Sequence, residues 1–165
     1  MVDVPHPTLG TLSFDDQGVA DGQVKVGDLT VEFDIWFEEE IVATKIEPVA
    51  ALVTRGVELH GANQAAIRTE YRSDDEDAAT PLYRKFHIDE FDADELQRVF
   101  GTSDAAHVDE DAFMNALKLI RIGAYPDAEE PHMVWDYSFD TELTDHLLSV
   151  ELSLDGAVQA INLES

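Results

Sequence analysis

The sequence predicts an α+β protein in which an antiparallel sheet carries helices on one face. Alternating apolar and polar residues at 29–37 and 133–140 indicate half-buried strands near the two ends of the chain. Helical spacing of apolar residues dominates between them, mainly over 45–72. Strand clusters separated by helices are typical of α+β architectures. We expect residues 1–165 to form a single domain, in which residues 73–80 are an acidic loop.

The N-terminal part of the sheet is predicted to contain strands at 8–14, 23–26 and 29–37. The dipeptide Gly27-Asp28 separates two of these strands and is a two-residue hairpin signal. The strand at 29–37 has the clearest period of two, which gives it one core face and one solvated face. Trp36 falls on the polar side of that strand.

The segment 45–72 is predicted to be helical, because its apolar residues recur at helical spacing. Thr44 and Glu47 stand three positions apart, as in a capping box, so the helix is expected to begin there. Gly56 and Gly61 are the points at which the segment could divide into two helices. The middle of the chain therefore supplies either one long helix with a kink or two shorter helices.

Shorter helices are predicted between the acidic loop and the C-terminal strands. Pro81 suits the first turn of one of them, where its missing N–H costs little. Asp92 is a favourable N-cap for a helix at 93–100, and Gly101 is a favourable stop. A further short helix is expected to start at Asp109.

The C-terminal third is predicted to be a central strand followed by a three-stranded antiparallel meander. Residues 117–125 are apolar on both faces apart from two basic residues, as is typical of a central strand. The meander is expected to consist of strands at 133–140, 147–154 and 157–163. The dipeptide Asp155-Gly156 between the last two predicts a type I′ hairpin.

The charge of the chain excludes several classes of function. There are 36 acidic and 10 basic residues, which give a formal net charge of −26. Nucleic acids and anionic membrane surfaces bind through clustered Lys and Arg, so we expect neither as a partner. No apolar run reaches the roughly 18 residues of a membrane span, and the first residues lack a signal-peptide pattern. We expect a cytoplasmic protein of bacterial or archaeal type.

Three explanations of the acidity remain open. The first is adaptation to a salty cytoplasm, where dense surface charge is screened. The second is a basic partner protein, which an acidic surface attracts and orients. The third is a solvated acidic surface without a specific role.

The composition and motifs argue against most catalytic chemistries. The chain has no cysteine, which excludes a disulfide, a thiolate metal site and a Cys nucleophile. It also lacks a glycine-rich phosphate loop and the common histidine-based metal motifs. We therefore assign no catalytic, metal-binding or cofactor-binding residues and expect no cofactor.

One group of residues is the alternative candidate for an enzyme or metal site. His132 and His146 could approach each other across the meander, with Asp136, Asp140 and Asp145 nearby. Imidazole and carboxylate groups that converge in this way bind divalent metals. The competing interpretation is that residues 140–145 form a turn whose side chains bond to the backbone.

Two other polar residues fall in apolar surroundings. His60 lies on the apolar stripe of the predicted helix and is interpreted as a hydrogen-bonded core histidine. Arg121 lies on the predicted central strand and is interpreted as a buried ion-pair partner, with Asp136 on the neighbouring strand as its candidate carboxylate.

The two strand-rich ends of the chain also resemble a known group of sequences. The segments are LGTLSF at 9–14, LTVEFDIWF at 29–37, KLIRIGAYP at 118–126, VWDYSFD at 134–140 and LTDHLLSV at 143–150, and INLES ends the sequence at 161–165. Together they are similar to an uncharacterised bacterial family of small acidic proteins, a domain of unknown function. The resemblance implies a fold and a prokaryotic setting, and it implies no catalytic residues.

These observations favour a non-enzymatic protein-interaction domain with an acidic binding surface. Its partner would be a basic protein. Small acidic proteins of this general kind resemble the immunity proteins of polymorphic toxin systems. The comparison is an analogy only. The oligomeric state is left open.

Overall fold

The structure is a computed structural model that describes residues 1–165. Its five helices, six-stranded mixed sheet and separate two-stranded sheet confirm the predicted α+β class. The strands are β1 (Val2–His6), β2 (Gly10–Phe14), β3 (Val19–Val26), β4 (Leu29–Trp36), β5 (Lys118–Ala124), β6 (Met133–Ser138), β7 (Leu147–Leu152) and β8 (Val158–Glu164). The helices are α1 (Ala43–Thr54), α2 (Gly56–Tyr71), α3 (Ala79–Glu90), α4 (Ala93–Phe100) and α5 (Glu110–Ala116), with a single 3₁₀ turn at Ala105–His107.

The six-stranded sheet has the order β3-β4-β5-β6-β7-β8, and the predicted meander forms its C-terminal half. All of its neighbouring strands are antiparallel except β4 and β5, which run parallel. Parallel neighbours require a crossover connection, and the helices of the middle segment provide it. The expectation of a purely antiparallel sheet is therefore wrong at this one junction.

The N-terminal segment forms one strand more than the sequence indicated. The predicted strand at 8–14 is the second arm of a separate hairpin, β1–β2, in which Pro5 pairs with Thr11. Two prolines near β1 concealed it, since proline in a strand is confined to edges. The hairpin buries Phe14, whose ring meets that of Phe37 edge-on at 5.7 Å.

The helical segment 45–72 divides into α1 and α2 at Arg55. A Cβ atom added to Gly56 would lie 3.3 Å from Val26, so the first residue of α2 packs closely against β3. The predicted capping box at Thr44 is wrong: the helix begins at Ala43, and no side chain caps its N-terminus. Burial of the apolar face of α1, including Ile46, fixes this helix without a cap.

The remaining boundary predictions have mixed outcomes. Asp92 accepts hydrogen bonds from two backbone N–H groups of α4 in a complete capping box, and Gly101 ends the helix with φ 73°. The type I′ assignment at Asp155-Gly156 is wrong, because that turn needs positive φ at both residues. Only Gly156 has positive φ, and the Asp155 carboxylate instead accepts from the N–H of Ala157 at 3.0 Å.

The helices lie on one face of the six-stranded sheet and bury a common core with it. The core-facing side chains of the sheet include Phe33, Ile122, Trp135 and Val150, which are all almost fully buried. They belong to a cluster of 32 buried residues that draws on both ends of the chain. None of the helices combines the length and the apolar character that a membrane span requires.

Candidate interaction surface

The structure separates the histidines of the candidate metal site. His132 precedes β6, and its N–H donates to the Leu152 carbonyl. His146 lies beyond the other end of the same strand, where its ring contacts Phe86 with centroids 4.1 Å apart. A six-residue strand places these imidazoles roughly 20 Å apart. No group of three or more metal-binding side chains converges anywhere in the structure, so this site does not form.

The carboxylates of that candidate site have separate structural roles. Asp140 accepts a hydrogen bond from the Glu142 N–H at 3.0 Å and forms an ion pair with Arg98 at 2.8 Å. Thr144 accepts from the N–H of His146 at 3.1 Å. These bonds confirm the interpretation of residues 140–145 as a turn whose side chains satisfy the backbone.

His60 is a hydrogen-bonded histidine at the edge of the core, as expected from its position on the apolar stripe. Its Nδ1 lies 3.0 Å from the hydroxyl of Tyr137, which also accepts from the Asn63 amide at 3.2 Å. Burial lowers the pKa of His60 and raises the pKa of Tyr137. These three side chains link α2 to β6 through hydrogen bonds.

Arg121 is the centre of a polar cluster on the sheet face opposite the helices. Its Nη1 lies 2.7 Å from Asp136 Oδ2, which confirms the predicted ion pair, and its Nη2 donates to Asp34 Oδ1 at 2.8 Å. Asp136 also accepts from the Ser149 hydroxyl at 2.6 Å. Burial acts to lower the pKa of Arg121, but hydrogen bonds to Asp34, Tyr125 and Asp136 raise it above its ordinary value.

Strand register assembles this cluster. Arg121 lies directly opposite Asp136, and Asp136 lies directly opposite Ser149. Gly123 provides the space for the guanidinium, because a Cβ atom there would lie 2.9 Å from Arg121 Nη2. The sequence pattern did not identify Asp34 as a partner of Arg121. Alternation placed Asp34 on the polar side of β4, but this pattern did not show that β4 lies beside β5.

The face that carries this cluster has no helix packed on it. We call it the open face and define it by the strand side chains that alternate with the core residues. Its members include Asp21 of β3, Glu32, Asp34 and Trp36 of β4, Arg121 and the adjacent Tyr125, Val134 and Asp136 of β6, Leu147, Ser149 and Glu151 of β7, and Asn162 and Glu164 of β8.

The open face has a rigid polar centre, an exposed aromatic side chain and an acidic periphery. Trp36 is 44% exposed, although an indole is costly to leave in water. A depression of about 290 Å³ lies beside Arg121 and is lined partly by Leu147 and Glu151. The carboxylate of Glu32 accepts a hydrogen bond from Gln23 rather than forming an ion pair. Aromatic and carboxylate groups are thus available on one surface.

A larger cavity of about 470 Å³ lies at the end of the sheet, between α3, α4 and the turn at 141–146. His87 forms part of the structure behind it and is fully buried. Its Nδ1 lies 2.7 Å from the Tyr83 carbonyl and its Nε2 lies 2.9 Å from Thr144 Oγ1. The carbonyl can only accept, so Nδ1 carries the proton and Nε2 accepts from the threonine hydroxyl.

We expect His87 to make folding stability depend on pH below about 6.5, the ordinary pKa of histidine. Burial lowers its pKa below the ordinary value near 6.5, against an opposing contribution from the Tyr83 carbonyl, and nearby His146 lowers it further. The unfolded chain therefore binds more protons in this range, and stability falls as the pH drops from about 6.5 through the folded-state pKa. Urea unfolding of His87→Gln should show a shallower dependence than the parent chain.

The matched control for this measurement is His107→Gln. The side chain of His107 is 74% exposed, so this variant removes an imidazole without disturbing the buried interior. Equal slopes for the parent chain and His87→Gln would show that His87 does not contribute to the pH dependence.

No protein family, curated protein or solved structure matches this chain. The resemblance of its ends to a bacterial family of small acidic proteins stays a prediction.

Proposed function

We propose that the chain is a non-enzymatic, cytoplasmic interaction domain that binds a basic protein through the open face. The observation that carries this proposal is the absence of any helix on one whole face of a six-stranded sheet, where Trp36 remains 44% exposed and the carboxylates of Asp21 and Glu32 form no ion pair. Antiparallel sheets commonly have one solvated face, but that face is then dominated by polar side chains. An exposed indole on it favours a binding surface.

The chemistry of the open face suits a partner with Lys and Arg side chains. Trp36 and Tyr125 directly follow Ile35 and Ala124, the last pair between β4 and β5, so two aromatic groups lie at the same end of these strands. Aromatic residues dominate the energetics of protein interfaces and also stack with cations. The acidic side chains of Asp21, Glu32 and Glu151 lie on the same face and would steer a basic partner into place.

The centre of the face gives such an interface a fixed geometry. The bidentate bonds of Arg121 to Asp34 and its bond to Asp136 hold three strands together, so little side-chain entropy remains to be lost there on binding. An immunity-type inhibitor of a basic toxin is one setting for such a pair, and the net charge of −26 supports it. Adaptation to high salt would explain the same charge without any partner.

Capture experiments with two single variants test this proposal. Immobilised parent chain, Trp36→Ala and Val57→Ala would be exposed to lysate of the source cells, and retained proteins would be quantified by mass spectrometry. Val57 is a matched control, because it is 65% exposed and lies on α2, away from the open face. We expect the parent chain and Val57→Ala to retain the same basic protein in equal amounts. Loss of Trp36 should weaken its binding about 30-fold, as at an interface hot spot.

A charge-matched pair of double variants tests whether binding depends on the carboxylates of the open face or on the acidity of the whole surface. Glu32→Gln with Glu151→Gln removes two open-face carboxylates, whereas Glu39→Gln with Glu76→Gln removes two from exposed loops. Only the first pair should slow association with the basic protein, and added KCl should weaken the parent complex. Retention that does not distinguish Trp36→Ala from Val57→Ala would contradict the proposal and leave salt adaptation or a solvated surface without a specific role as the explanation of the acidity.

A further inference from the structure

The two edges of the six-stranded sheet are protected to different degrees. The edge strand β3 carries Asp21, Gly22 and Lys25, and the β1–β2 hairpin packs beside it. The other edge strand, β8, contains no lysine, no proline and only one charged residue, Glu164, at its end. Edge strands normally need such features to prevent pairing with another chain. The composition of β8 is that of an interior strand, although no strand pairs with its outer side.

The hydrogen bonds of β7 show which backbone groups of β8 are free. The N–H of Ser153 donates to the Ala157 carbonyl, whereas the Leu152 carbonyl accepts from His132 on the β6 side. Bonding direction alternates along an antiparallel strand, so the Glu151 and Ser149 backbones face β8. Their partners Ala160 and Asn162 face β7 in return.

Ile161 and Leu163 are the residues that alternate with those partners. Their N–H and C=O groups consequently point away from the sheet. Both side chains are partly buried against the core, which holds this edge in an extended, strand-competent form.

We propose that two copies of this chain associate through β8, with the strands antiparallel about a two-fold axis at Asn162. In this register Ile161 of each copy lies opposite Leu163 of the other, and each such pair exchanges both of its N–H···O bonds. Ala160 lies opposite Glu164, so no like charges face each other along the strand. The sheet becomes continuous across both copies and the open face stays free, so this association does not depend on the proposed function.

The charge of the chain makes this association depend on salt. Two copies of net charge −26 repel each other at low ionic strength, and the nearly uncharged β8 edge brings them together without opposed carboxylates. Screening shortens the range of the remaining repulsion to about 3 Å at 1 M salt. Dimerisation therefore strengthens with salt, whereas binding of a basic partner weakens.

Sedimentation equilibrium at about 0.05 M and about 2 M KCl tests the dimer. We expect the parent chain to shift from monomer towards dimer as KCl rises. Ile161→Pro removes one outward N–H from each copy and no bond to β7, and it should weaken the dimer about 30-fold in molar KCl. Ile161→Val keeps the N–H and the β-branched shape and should change the dissociation constant by less than about threefold.

Hydrogen exchange of the parent chain gives a second measurement that requires no variant. Raising the protein concentration in molar KCl should slow hydrogen exchange at the amides of Ile161 and Leu163. The amides of Ala160 and Asn162 are already bonded to β7 and serve as the comparison. A chain that stays monomeric in molar KCl at about 1 mM would overturn the proposal. A dimer whose Ile161 and Leu163 amides remain unprotected would also overturn it, because it would use another surface.

Discussion

Replacement of Arg121 by methionine should lower the free energy of unfolding by about 3 kcal/mol. The Asp136 side chain is 4% exposed and would lose the cation that compensates its charge. Asp34, at 15% exposed, would lose both of its bonds to the guanidinium. The Arg121 side chain is itself 35% exposed, which places the effect at the lower end of that for a buried ion pair. Urea unfolding at fixed pH and KCl concentration would measure it.

Two comparisons test the cause of that loss. Arg72→Met removes an exposed guanidinium that pairs with Glu110, and its effect should be several-fold smaller. The triple variant Asp34→Asn, Arg121→Met, Asp136→Asn also removes the two carboxylates that would be left unpaired, and it should recover much of the stability. If Arg121→Met and Arg72→Met cost the same, the cluster does not stabilise the fold in this way.

The second large effect is expected at Phe139, whose replacement by alanine should cost about 3–5 kcal/mol. Its ring is 1% exposed and meets the rings of Tyr83, Phe100 and Phe113 with centroids 4.9–5.2 Å apart. Those partners belong to α3, α4 and the α5 helix, so one side chain after β6 joins three helices to the sheet. The midpoint of urea unfolding should fall accordingly, with the far-UV circular dichroism signal retained in the absence of urea.

Phe86→Ala is the matched control for Phe139. Phe86 is 37% exposed and lies on the outer side of α3 against His146, so the truncation leaves no closed cavity. We expect it to cost less than half as much as Phe139→Ala. Equal costs would mean that the aromatic cluster relaxes around the lost ring and does not couple the helices.

Local patterns in the sequence predicted the parts of the fold that depend on near neighbours. The alternation along β4 and β6 located both strands, and Asp92 marked the start of α4, because alternation and capping act over a few residues. The ion pair between Arg121 and Asp136 was also predictable, since adjacent antiparallel strands bring such residues together. These features needed no knowledge of distant contacts.

The features that the sequence did not reveal depend on long-range placement. The partnership of Asp34 with Arg121 requires β4 to lie beside β5, which no local pattern encodes. Alternation placed Trp36 on a polar face, but it could not show whether a helix or water covers that face. The separation of His132 and His146 has the same origin, because proximity in a meander depends on register and strand length.

The parallel junction between β4 and β5 also has a consequence for how the protein folds. All other neighbouring strands of this sheet are joined by short connections and pair quickly, whereas Asp34 and Arg121 are 87 positions apart. Closing such a long segment carries a large entropic cost, and non-local strand pairs form slowly. We therefore expect β3–β4 and β5–β8 to pair as separate local units before they join. The surface proposed for binding would then be complete only once the guanidinium of Arg121 reaches Asp34, so we expect the chain to gain its binding competence late in folding.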